Sequence, residues 1–405
     1  MASIIERKEV SQCLDSLLIR LKITRESMKI DSDFGKGANY TGDIIKLWVN
    51  GRDEKNQQVE LRLLLKVALR DISTRKMISI ERAYQCETFM YETVFDLFAQ
   101  MQAEAKIEDR FESYPKYYAS STKPMEELVV LENLTSFQVV DRLETLTFRQ
   151  ARMLAKEIGK LHALSFVLRR KNPQRFQQFS KNIRNETFEE DEYVKLVIYG
   201  LIAFNPKYLT VLESEKLRMV YEKVRSLPTR FHEMYDRYYR FDPDNEYGVI
   251  GHCDLWSTNL LFNEQEVRII DWQTARICSP AVDLSLILFI CCNGEVRNKH
   301  AQHLTEVYYD SCSAMLRQFD EDPNIVFPRT VLEAHLKMYS GYALCLALRT
   351  VSMMSVPENE IPDPTLAQNY DDMIKMYMEV NMVREIFDDR IRDMLTDYVN
   401  YGYDL

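Results

Sequence analysis

The hydrophobic pattern of this chain changes character once, and that change limits the folds open to it. Up to about residue 133, apolar runs of strand length dominate, as in "IIKLWV" at 44–49 and "VELRLLLKVAL" at 59–69. "YPKYYAS" (114–120) and "ELVVLENL" (127–134) read as two more strands, and "NGRDEKN" supplies a hairpin turn. One helical pattern, 78–101, interrupts them. Beyond that point apolar residues recur every three or four positions, as in "TFRQARMLAKEIGKLHALSFVL" at 147–168. A parallel sheet would need strands and helices in alternation. Segregation implies an α+β chain in two lobes, a β-rich 1–133 and a mainly helical 134–405. The second lobe carries a short β insert, "NLLF" and "EVRII" around the turn "NEQE".

Composition narrows the function classes. The 405 residues carry a net charge of −10, whereas a groove tracking nucleic-acid phosphates needs a basic surplus. The most apolar stretch, "AVDLSLILFICC" (281–292), is too short to span a bilayer and contains Asp283. Charges interrupt the apolar pattern of the N-terminus, so no signal-peptide core is expected. Eight cysteines without a CxxC pair read as reduced core thiols of a cytosolic protein. The sequons at Asn39, Asn133 and Asn185 are then chance matches. A monomer without nucleic-acid or membrane partners is expected.

The densest polar cluster is "HCDLWSTNLL" (252–261), framed by Leu, Ile and Val, with "RIIDWQTAR" following. Phosphoryl transfer needs a carboxylate at the attacking hydroxyl, oxygen ligands for Mg²⁺ and positive charge on the phosphates. Asp254 fits the first, and Asn259 and Asp271 offer the hard oxygens Mg²⁺ prefers. His252 is expected to hold the loop by hydrogen bonds. Singly, each of these residues reads as a cap, a turn former or a structural histidine; the set at this spacing is far more specific. A zinc site on His252, Cys253 and Asp254 lacks a second ligand pair. Asp283 is a charge in an apolar helix start, suited to capping that helix or tying down the loop.

The N-terminal lobe offers the matching parts in the order this chemistry requires. Glycine is scarce, 11 in all, yet three fall in "DFGKGANYTGD" (33–43). Gly35, Gly37 and Asn39 are therefore candidates for a loop approaching phosphates, although the GxGxxG spacing is incomplete. "DSDFG" begins like a calcium loop, but Gly42 stands where the closing glutamate belongs. Lys66 interrupts an apolar strand and is the candidate phosphate lysine; as a bland alternative it is a solvated edge residue. Glu87, on the following helix, is its candidate partner or merely a solvent-facing charge. Backbone groups of Glu132, Asn133 and Leu134 would meet an adenine, or simply end a strand.

Taken together, "HCDLWSTNLLF", "IIDWQTARICSPAVDL", "VLENL", "LAKEIGKLHALSF" and "ETFMY" resemble the ecdysteroid kinase-like proteins of insects. These sit within the wider choline kinase and aminoglycoside phosphotransferase group. The resemblance runs from about Gly35 to about residue 350 and implies a bilobal protein-kinase-like fold. It implies ATP and Mg²⁺ as cofactors and a small lipophilic, hydroxyl-bearing substrate, ecdysteroid-like or foreign. By position, Asp254 would be the catalytic base, Asn259 and Asp271 the Mg²⁺ ligands, and Lys66, paired with Glu87, the contact to the ATP phosphates. Two departures stand out: Cys253 replaces the usual glycine and Trp272 the usual phenylalanine, and neither touches a proposed ligand. Choline or ethanolamine kinase activity and a non-catalytic binding protein are the alternatives.

Overall fold

In the computed structural model, residues 2–31, 41–183, 201, 207–212, 218–234, 241–242 and 244–403 are described. Five antiparallel strands build the N-terminal sheet: β1 (Thr24–Asp31), β2 (Gly42–Arg52), β3 (Gln58–Ala68), β4 (Tyr117–Ser121) and β5 (Leu128–Glu132). Their spatial order is β1-β2-β3-β5-β4, so β3 is central. The β2–β3 hairpin is in continuous register from Gly42↔Ala68 to Arg52↔Gln58. Its turn is closed by Asp53, whose Oδ1 accepts the Lys55 and Gln57 N–H groups at 2.9 and 2.8 Å.

Side chains alternate across a strand, and β3 uses both faces. Leu63, Leu65 and Val67 face outward, where α1 (Lys8–Arg20) covers them with Val10, Leu14, Leu17 and Leu18. The 10-14-17-18 spacing is one helical stripe. Lys66 therefore faces the other way, toward α2 (Ile80–Phe89). The helix expected over 78–101 is found as α2, a π turn at Met90–Val94 and α3 (Phe95–Glu104).

After β5 the chain enters the second lobe. There β6 (Gln138–Val139) pairs with β8 (Leu260–Phe262), which pairs with β9 (Val267–Ile269). A further pair joins β7 (Val249–Gly251) to β10 (Arg276–Cys278). Helix α4 (Phe148–Lys171) starts with a capping box of Thr147 and Gln150. It lies tight against α6 (Gly294–Gln318): a Cβ on Gly159 would sit 2.5 Å from the Tyr308 carbonyl oxygen. Between them in sequence comes α5 (Pro280–Leu286), capped by Ser279. Two long helices, α7 (Arg329–Met353) and α8 (Arg384–Asn400), complete the lobe, and a buried Arg297–Asp397 pair at 2.7 Å ties α6 to α8.

Much of the helical stretch 166–245, an expected wall of the acceptor pocket, lies outside the described residues. No helix among the described residues is long and apolar enough to cross a membrane. All eight cysteines are free thiols; seven are buried and Cys13 is partly so.

Candidate active site

Lys66 is 5% exposed, too deep for the solvated edge role its position allowed. Its Nζ donates to Glu87 Oε2 at 2.9 Å and to Asp271 Oδ1. Burial alone would depress the ammonium's pKa, but the Asp271 and Glu87 carboxylates outweigh it and keep the lysine charged. Glu87 is equally buried, and burial pushes its carboxyl above the usual range against the pull of Lys66. The Tyr84 ring, one helical turn before Glu87, lies 5.8 Å from the ammonium.

Asp271 has φ +67°, a left-handed conformation in a non-glycine residue. Gln273 Nε2 donates to its Oδ2 at 3.1 Å, so the carboxylate is held from both sides. Trp272 then turns inward. Its Nε1–H donates to the Ile269 carbonyl at 3.0 Å, and its ring meets His252 and Phe95 edge-on at 4.6 and 4.9 Å. An indole in place of phenylalanine is thus accommodated by one hydrogen bond and two edge-on aromatic contacts.

The loop after β7 is fixed by backbone bonds. Asp283 accepts the His252 N–H at 2.7 Å on one oxygen and the Cys253 N–H at 2.8 Å on the other. Hence Asp283 ties down the loop; the cap of α5 is Ser279. Burial would raise the Asp283 carboxyl, but His162 and these N–H groups hold it below the usual value. Cys253 has φ +62°, where glycine is unstrained, which gives a physical reason for glycine as the usual residue here. His252 Nδ1 accepts the Asp254 N–H at 3.2 Å and Nε2–H donates to Ile270 O at 3.0 Å. That pattern requires the neutral ring, and burial lowers its pKa accordingly.

Asn259 Nδ2 donates to the Asp254 carbonyl at 3.0 Å, which leaves its side-chain oxygen for a ligand. The Ile270 N–H donates to the Asn259 carbonyl at 3.0 Å and so joins the two loops that carry Asn259 and Asp271. An amide oxygen and a carboxylate, both hard donors, suit Mg²⁺, with phosphate oxygens and water filling the remaining positions. Among the described residues no group of three His, Cys, Asp or Glu side chains is placed to hold a metal.

At the crossing between lobes, the Glu132 and Asn133 N–H groups are already used, by Lys116 O at 2.8 Å and Arg62 O at 2.9 Å. As donors to an adenine these two are therefore spoken for, because β5 continues its pairing to its last residue. The Leu134 N–H has no partner among the described residues. Gly35, Gly37 and Asn39 lie outside the described residues. Three residues joining the network had no assigned role in the sequence. His162 on α4 bonds Asp283 at 3.3 Å and Tyr308 at 2.8 Å, and Thr274 donates to His252 O at 2.9 Å. A lone histidine inside the apolar run "KLHALSF" was the available signal, since a buried imidazole needs partners.

The sequence model of the ecdysteroid kinase-like family matches residues 36–321. No curated protein matches the chain. Among solved structures, choline kinase from Cryptosporidium parvum aligns at TM-score 0.44 and 12% identity, covering 96% of this chain and 94% of its own. Amicoumacin kinase in complex with AMP-PNP and Ca²⁺ aligns at 0.42 and 13%, covering 96% of each. Spectinomycin phosphotransferase with ADP and spectinomycin aligns at 0.37 and 13%, over 92% of this chain and 98% of that one. These likenesses are too distant to assign residues or substrates. The family match spans most of the chain, and the protein belongs to the ecdysteroid kinase-like family, small-molecule phosphotransferases, here with a bilobal α+β fold.

Proposed function

We propose that this chain is an ATP- and Mg²⁺-dependent O-kinase that phosphorylates a hydroxyl of a small lipophilic compound, ecdysteroid-like or foreign. The observation that carries this reading is Lys66, held charged by Glu87 and Asp271, with Asp254 and Asn259 on the adjoining loop. Lys66 binds phosphate oxygens, and Leu134 N–H meets the adenine. Asn259 and Asp271 hold Mg²⁺, which when bound offsets the charge of the triphosphate. Asp254 orients the acceptor hydroxyl and takes its proton as the oxygen attacks. His252 keeps Asp254 in place and transfers no proton. Residues 1–133 cover the nucleotide and 134–405 hold the acceptor, in a cytosolic monomer.

The test is incubation with Mg-ATP and a panel of steroids, plant alcohols and choline, scored by the mass gain of one phosphate. A lipophilic alcohol should be phosphorylated, and Asp254→Asn should lower turnover by about 10²–10⁴-fold while ATP binding persists. Phosphorylation of choline alone would assign a choline-type kinase instead. Metal-dependent ATP binding without transfer to any compound would assign a binding protein.

A further inference from the structure

The loop 252–259 pairs its buried side-chain polar groups, with two adjacent exceptions. His252 uses both ring nitrogens and Asn259 its amide nitrogen. Trp256 Nε1 and Ser257 Oγ are shielded from water, yet neither makes a hydrogen bond. Orphaned buried groups are rare, and one beside a reaction centre calls for a cause. Neither backbone nor packing is short of anchors here. The Trp256 carbonyl accepts the Asn259 N–H at 3.0 Å, and the Ser257 carbonyl accepts the Leu260 N–H.

The position of Trp256 is specific. It is extended, at φ −149° and ψ 166°, and in an extended segment alternate side chains share a side. Burial follows that alternation: Leu255 is fully buried, whereas Asp254 and Trp256 on either side of it are less so. Asp254 and Trp256 stand two residues apart, on either side of the fully buried Leu255. A hydroxyl such as Ser257 can donate or accept, but an indole N–H only donates. Its missing partner must therefore be an acceptor atom.

We propose that Trp256 recognises the phosphate acceptor. Its N–H donates to a second oxygen of the molecule whose hydroxyl meets Asp254, and its ring covers part of the apolar body. The inference rests on the kinase reading and narrows the substrate class. The acceptor is a lipophilic alcohol with a further hydroxyl, ether or carbonyl oxygen close to the reacting hydroxyl.

The probes are octane-1,2-diol and 1-octanol, which share an apolar body and differ by one oxygen. The chain has three tryptophans, so ¹⁵N-indole labelling gives three signals, and Trp256→Phe assigns one of them. The diol should shift the Trp256 signal and slow its exchange with water, with 1-octanol doing less. With Mg-ATP, the diol-over-octanol ratio of kcat/KM should fall about tenfold in Trp256→Phe, the worth of one hydrogen bond. Should that variant not fold, Trp256→Tyr supplies the assignment and the wild-type titration stands on its own. A Trp256 signal that ignores both probes, or answers both equally, overturns the proposal, as does a contact to one fixed water or an unchanged kcat/KM ratio. Selective binding of the diol without phosphate transfer would instead uphold the site and remove the kinase reading.

Discussion

Lys66 and Asp283 are both buried charges at the same centre, and they are satisfied by different kinds of partner. Lys66 relies on side chains from two separate elements, Glu87 of α2 and Asp271 beyond β9. Asp283 relies on the backbone N–H groups of His252 and Cys253, with His162 behind it. Side-chain partners can be withdrawn by rotamer change or by a shift of one helix. Backbone partners can leave only if the loop itself is remade. The lysine half of the site is thus adjustable, and the aspartate half is a fixed tether on which Asp254 and Asn259 depend.

The largest effect should come from the tether. Asp283→Ala leaves two buried N–H groups and His162 without their acceptor, at a cost of about 3–5 kcal/mol in urea denaturation, with loss of turnover. Glu87→Gln should lower turnover by about 10²-fold yet change stability by only about 1 kcal/mol, because Asp271 still pairs with Lys66. Equal stability losses in the two variants would erase the distinction.

A smaller effect involves the support of α5, the helix that carries Asp283. Its cap, Ser279, bonds His335 Nδ1 at 2.8 Å, and burial holds that imidazole down to about 4. Below the unfolded value near 6.5 the unfolded chain takes up a proton that the folded chain refuses. Stability is therefore complete above about pH 6.5 and declines toward pH 4, by at most about 3 kcal/mol. His335→Gln should flatten that slope when denaturation midpoints at pH 7 and 4.5 are compared; an unchanged slope would remove His335 from the account.

The smallest effect is expected at Cys253. Glycine would relieve left-handed strain of about 1 kcal/mol but surrender a buried thiol and loosen the unfolded chain. Cys253→Gly should stay within about 1 kcal/mol of the parent in stability. A large gain in turnover would make the tether less rigid than its bonds imply.

How far the site could be read in advance divides along the same line. Lys66, Glu87 and Asp271 were legible as candidates because phosphoryl transfer prescribes their types and order. The local pattern left Lys66 and Glu87 equally open to solvent-facing roles, and only the fold buries them. The segregation of strand and helix patterns also revealed the two lobes. Cys253 was visible as an odd residue, but its reason is a backbone angle, which no residue pattern encodes. His162, Thr274 and the engaged N–H groups at Glu132 and Asn133 depend on what neighbours bring across tens to hundreds of residues, and local spacing carries no record of that. Trp256 carries no role in the sequence pattern, and its unpartnered indole N–H is a property of the fold alone.

The helix that covers the outer face of the N-terminal sheet has a consequence for synthesis. α1 leaves the ribosome before any strand it will cover, and β5, next to the central strand, follows more than a hundred residues later. Its apolar stripe must wait, exposed, while the hairpin assembles. Deletions within α1 should therefore lower how much of the protein escapes aggregation, while leaving every residue of the reaction centre in place.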